Sequence, residues 1–320
     1  MGTSSPPASA SAKESRSWPR VLALLVVALF GSVAQPTLLI GVPYLALAFV
    51  LGVRRGIVLA VGMVALLIAF VSLPVEGGRY LDLAWALLLG GCFAALTVRR
   101  PQSAFSDRAL GAVAGAAGLT ALMLGVRRGA WGAVQWVVQD RMTQGAAAFM
   151  EGLRMMRGGR GVPQALVSTL YDVVDKQILV FPAMLGLASF AALGVAWWVY
   201  VRLTTDSDGA LRPLRSFRFN DHLVWVLIGG VVLLVLRADG LTRVGANAVV
   251  FMGGLYAVRG AAVVLFLTGG LSVFGYILLV VGALLLPPLV PGLAAVIGIG
   301  DTWLDVRKRV SEARARHNDS

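Results

Sequence analysis

The chain has 320 residues, of which 58% are hydrophobic and only 14% charged, with a mean hydropathy of +0.81. Those fractions exclude an ordinary soluble domain and make the lipid bilayer its first partner. A net charge of +12 would point to nucleic acid in a soluble protein, but here the basic residues sit in short clusters between apolar runs. That pattern fixes topology against anionic lipid, so nucleic acid is not an expected partner.

In chain order, residues 1–20 are rich in Ser, Ala and Pro and read as a disordered cytoplasmic tail. Lys13, Arg16 and Arg20 before an apolar stretch also resemble a signal peptide, but equally apolar segments follow at once and a first span is the simpler reading. Apolar runs then occupy about 21–34, 37–52, 57–74, 81–98 and 109–125, an N-terminal transmembrane bundle spanning 21–125. A second bundle, 179–304, holds runs at about 179–201, 222–236, 245–268, 271–286 and 288–303, and a basic cytoplasmic tail, 305–320, closes the chain. Several runs fall short of the ~20 residues a span needs, so the expected fold is an all-α polytopic bundle of about 8 to 10 spans.

With both termini inside, seventeen of the 28 basic residues fall on the cytoplasmic side, which favours that orientation in a bacterial cytoplasmic membrane. Between the bundles lies an extramembrane insert, 126–178. Trp131, Val134, Val138, Met142, Phe149, Leu153 and Met156 recur mostly at three- and four-residue steps, predicting a long amphipathic helix that ends at Gly158-Gly159. It either packs on the bundle, lies in the interface, or serves as a partner-binding or gating element.

Arg259 is the most expensive residue in the chain, because an arginine well inside a span costs about 2.5–3.5 kcal/mol on insertion scales. Few acids can compensate it, and Asp301 in the last apolar run is the first choice, Asp305 the second. The pair either lines an anionic-solute site or locks two helices together. Asp305 is expected to pair with Arg309 four residues on, with Trp303 at headgroup level and Arg307 and Arg309 marking the cytoplasmic side. Asn247 lies twelve residues before Arg259 and about 120° away around the helix, so it is either a ligand-binding residue or an interhelical hydrogen bonder. Gly111, Gly115 and Gly118 form a small-residue face, and Gly253-Gly254 is a packing notch or an unwound point.

Catalytic readings are poorly supported. Gly298-Ile299-Gly300-Asp301 resembles the GxGD pattern of intramembrane aspartyl proteases, but Asp301 closes the last apolar run and Tyr171-Asp172 lies in the insert. The only histidines, His222 and His317, have no second ligand at metal spacing, a lone Cys92 offers no thiolate site, and no Walker-type loop occurs. No metal, cofactor or enzymatic activity is expected.

The order SFRFNDHLVW, Asn247, GLYAVRGAAVVLF and GDTWLDVRKR over the last hundred residues, with LGVRRGIVLAVG near the start, resembles the YybS-like family of polytopic bacterial membrane proteins. That resemblance implies a membrane domain without an assigned function. The short, Gly-rich helices are also similar to the substrate-binding membrane subunits of energy-coupling-factor transporters and to MreD-like proteins. The expected function is a small-solute transporter or solute-binding membrane subunit, with Arg259, Asn247 and Asp301 as site residues; the alternative is a scaffold of envelope or division machinery that works through membrane or cytoplasmic protein partners.

Overall fold

The computed structural model describes residues 77–126, 129–158, 162–204, 217–237, 240–269, 275, 281–282 and 289–318. Every regular element among them is helical: α1 (Gly77–Arg99), α2 (Phe105–Val126), α3 (Ala130–Met156), α4 (Gln164–Thr204), a 3₁₀ turn (Asp221–Leu223), α5 (Val224–Leu236), α6 (Leu241–Leu267), α7 (Leu289–Leu304) and α8 (Val306–Asn318). The apolar runs expected at 21–34, 37–52 and 57–74, and most of 271–286, lie outside the described residues.

Among the described residues, α1, α2, α4 and α6 are long and apolar enough to cross a membrane, and the bent pair α7–α8 brings the number to five. The structure therefore carries four or five such elements where the sequence leads to eight to ten. Part of the difference is coverage, and part is α5, whose 13 residues span only about 20 Å at 1.5 Å per residue. The boundary expected at 178/179 falls inside α4, a single 41-residue helix that carries the second half of the insert directly into the following span.

The helices form two compact units. One holds α1, α2, the start of α3 and the second half of α4; the other holds the rest of α3, the first half of α4, and α5 to α8. In the first, Gly111 of α2 lets Leu96 of α1 approach closely, whereas a Cβ on Gly115 would meet Cys92 only at 3.8 Å and one on Gly118 nothing within 4 Å, so of the expected small-residue face Gly111 alone makes a close contact within the bundle. Arg108, a topology charge by its sequence position, is instead buried there, with its guanidinium 4.5 Å from the Trp197 ring centroid beside Phe93. Trp85 donates to Ser189 Oγ at 2.9 Å, tying α1 to α4.

Helix α3 is the amphipathic helix the periodicity implies. Gly129 and Gly158 flank it with positive φ, 84° and 64°, a conformation that costs glycine little and ends the helix at both sides. Trp131, Phe149 and Met156 of its apolar stripe are exposed, and Ala146 is its only buried residue.

In the second unit, α6 is the central helix, packed on both α5 and α7. Both contacts depend on missing side chains. A Cβ on Gly245 would meet the Gly230 carbonyl oxygen at 2.8 Å, and one on Gly260 or Gly298 would overlap the backbone of Ala294 or Tyr256 across the α6–α7 seam. Gly254 admits Leu187, and α6 runs unbroken past it, so Gly253-Gly254 is a packing notch and not an unwound point.

Candidate functional site

The site is assembled on α6. Arg259 falls on the face of α6 that carries Met252, Leu255, Tyr256, Ala262 and Val263, all nearly inaccessible, and its own side chain is 0% exposed. Its Nε donates to Asp301 Oδ2 at 3.1 Å, and Asp301 is also 0% exposed. Its Nη1 donates to Asp221 Oδ1 at 2.6 Å, where the carboxylate reaches solvent. The Phe219 ring lies 5.5 Å from the guanidinium and packs edge-on against Tyr256.

Asp301 serves a second cation as well. Arg307 Nη2 donates to Asp301 Oδ2 at 2.8 Å, and Arg307 Nη1 to the Phe217 carbonyl at 2.9 Å. On a straight helix, residues six apart sit about 120° apart around the axis and about 9 Å apart along it, so their side chains diverge. They meet because Asp305 adopts φ 45°, ending α7 and turning α8 away by 68°. Asp305 is thus a hinge residue between helices, and its carbonyl accepts from the Lys308 and Arg309 backbone N–H groups.

Two expectations change accordingly. Asp305 pairs with Arg218, and among the described residues its carboxylate makes no pair with Arg309, because the two do not stand within one continuous helix. Arg307 is not an exposed tail charge but a buried member of the cluster, whereas Arg309 and Trp303 are exposed.

Asn247 does not join the cluster. It lies three turns earlier on α6, about 18 Å along the axis from Arg259, and clamps α4 instead. Its Oδ1 accepts from Ala183 N–H at 2.8 Å, and its Nδ2 donates to the Leu179 carbonyl at 2.9 Å and to the Arg243 carbonyl at 2.8 Å. Ala183 and Leu179 are i and i−4 partners beside Pro182, whose ring disturbs the helix there. The carboxamide is inserted between the two backbone groups and satisfies both, which matters where no water can do so.

A direct prediction follows for this clamp. Asn247→Leu should cost about 1–3 kcal/mol through the Ala183 N–H and the Leu179 carbonyl left unmet, read as a lowered melting temperature in detergent. Adding Pro182→Leu should restore most of it by returning Ala183 N–H to Leu179. Equal instability of the single and double variants would refute the clamp.

Chemically, the cluster holds two guanidiniums and two carboxylates, formally neutral, with three of the four side chains withdrawn from solvent. Its hydrogen bonding is incomplete: Arg259 Nη2 and Asp301 Oδ1 find no partner among the described residues. One donor and one acceptor therefore remain for a polar molecule. The described residues contain no group of three or more His, Cys, Asp or Glu able to hold a metal. Asp221 and Arg307 could not be assigned to the site from sequence. The available signal for Asp221 was its place at the start of a span beside His222; for Arg307 the six-residue spacing pointed away.

No curated protein and no solved structure matches the chain. A family model does, over residues 20–302, from the first apolar run through Asp301: the chain belongs to the family described as predicted membrane protein (DUF2232).

Proposed function

We propose that the protein is a small-solute transporter, or the solute-binding membrane subunit of one, with Arg259 and Asp301 at its binding site and Asp221 and Arg307 completing it. The supporting observation is a buried Arg–Asp pair, its arginine on a helix long and apolar enough to cross a membrane, that keeps one unpaired donor, Arg259 Nη2, and one unpaired acceptor, Asp301 Oδ1. An ionisable pair within a span is costly, and such residues characteristically mark solute or ion pathways. In this reading Asn247 stabilises α4 rather than contacting solute. The whole chain in this reading crosses eight to ten times, both termini are cytoplasmic, and the membrane is the bacterial inner membrane. The resemblance to energy-coupling-factor membrane subunits is in keeping with this reading, whereas the one to YybS-like proteins carries no function with it. No catalytic step is included, because two guanidiniums on Asp301 disfavour the shared proton that an aspartyl protease dyad needs.

A second reading is favoured by a different observation. The exposed stripe of Trp131, Phe149 and Met156 on α3 suits a scaffold that recruits membrane or cytoplasmic proteins of the envelope machinery, with the charged cluster acting only as a lock between helices. Purification in mild detergent, followed by mass spectrometry of retained small molecules and proteins, separates the two. The transport reading expects a metabolite, or an ATPase, with the wild type and loss of the metabolite with Arg259→Leu. Recovery of envelope proteins alone, identical for both chains, would overturn it.

A further inference from the structure

The residues just before the 3₁₀ turn make more contacts with the cluster than a connecting loop requires. Of the five positions 217–221, Phe217, Arg218, Phe219 and Asp221 engage α6, α8 or the bend before α8, and Asn220 caps the turn itself. The Phe217 carbonyl accepts from Arg307, Arg218 pairs with Asp305, the Phe219 ring covers Tyr256 and Arg259, Asn220 Oδ1 accepts from His222 N–H, and Asp221 pairs with Arg259. Phe217 and Phe219 are buried while Arg218, Asp305 and Asp221 are exposed, so the segment is seated by its aromatic rings and pinned at its ends by surface charges.

We propose that residues 217–221 form a releasable strap whose opening exposes the Arg259–Asp301 pair to solvent, the access route of the site; the purpose, though not the existence, of the strap rests on reading that cluster as a solute site.

Two opposed costs keep the strap near balance. Closed, it leaves Arg259 Nη2 and Asp301 Oδ1 buried without partners, and opening lets water or solute reach both. Open, it exposes two phenylalanine rings and loses the Arg218–Asp305 and Asp221–Arg259 pairs. The Arg218–Asp305 pin is a solvent-exposed ion pair, weak and screened by salt, so a modest change in ionic strength shifts the balance. Asp305 also sits at the hinge between α7 and α8, so the pin and the turn that delivers Arg307 depend on one residue.

The test needs no solute. In the full chain with Cys92→Ala, reconstituted in lipid nanodiscs, Thr302→Cys places a thiol next to Asp301 and one turn from Gly298, whose backbone abuts Tyr256. A membrane-impermeant maleimide reports its exposure. Arg218→Gln should raise the labelling rate by up to about five-fold, the factor the upper end of the range for a surface ion pair represents, and raising KCl should accelerate the unmodified strap in the same direction. Thr268→Cys, at the exposed far end of α6, should label at an unchanged rate throughout. A Thr302→Cys rate indifferent to both Arg218→Gln and salt would overturn the strap, as would a parallel rise at both reporters, which would mean general loosening. Should Arg218→Gln fail to fold, the salt series on the unmodified strap decides alone. A strap that opens in a protein retaining no metabolite would leave this inference standing and remove the transport reading.

Discussion

Asp301→Leu should be among the most damaging single substitutions in the protein, and clearly worse than Arg259→Leu. Asp301 is the shared acceptor of two buried guanidiniums, so its removal leaves Arg259 and Arg307 facing each other with only the solvent-exposed Asp221 nearby. Removing one partner of a buried ion pair costs about 3–5 kcal/mol. Arg259→Leu is gentler: Asp301 keeps Arg307, and Asp221 is released to water. Membrane insertion should survive in both. Unfolding of the purified chains in mixed detergent micelles should therefore rank wild type above Arg259→Leu above Asp301→Leu. The reverse order of the two variants, or two curves superimposed on the wild type, would mean that Asp301 does not hold the cluster together.

Comparable damage is expected from the smallest of substitutions at the α6–α7 seam. The backbones approach so closely at Gly260 and Gly298 that a methyl group on either would overlap main-chain atoms of the other helix, which cannot swing aside as a side chain can. Overpacking a close contact costs about 1–3 kcal/mol, occasionally more, and rigid backbone on both sides places these positions at the upper end. Gly253→Ala and Gly300→Ala are the matched controls: both glycines are helical, and a Cβ at either meets nothing within 4 Å. Gly298→Ala should lower the melting temperature in detergent markedly and the controls should not. A loss of the same size at Gly300 would show that glycine content, rather than the seam, governs stability. The same geometry accounts for the Gly298-Ile299-Gly300-Asp301 stretch: Gly298 is a packing residue, and Asp301 follows it into the cluster one helical step short of a full turn.

Several features were legible before any coordinates. The lipid environment followed from composition alone, because no water-soluble core could conceal so much apolar surface. The amphipathic helix in the insert followed from its spacing, but its apolar stripe is divided, with Val134, Val138, Met142 and Leu153 half-buried and Trp131, Phe149 and Met156 exposed. Arg259 identified itself by insertion cost, and Asp301 followed as one of few acids placed to answer it. Other features could not be read. The span count stayed ambiguous because short apolar runs such as α5 look alike whether they cross or not, and because α4 runs without a break from the end of the expected insert into the following apolar run. Asn247 carries the same hydrogen-bonding groups whether it meets a solute or a backbone; only the position of Pro182 on the facing helix assigns it to the latter.

What the sequence determined by itself are properties that each segment owns: its affinity for lipid, its helical period, and the penalty of a guanidinium that must be answered by a carboxylate. What only the tertiary structure decided is which groups answer it. Asp221 arrives through a strap of five residues, and Arg307 through a left-handed Asp305 that bends two helices by 68°. Local energies are written in composition and spacing, whereas encounters between distant residues depend on the angles at which helices end, and a single φ value can redirect them.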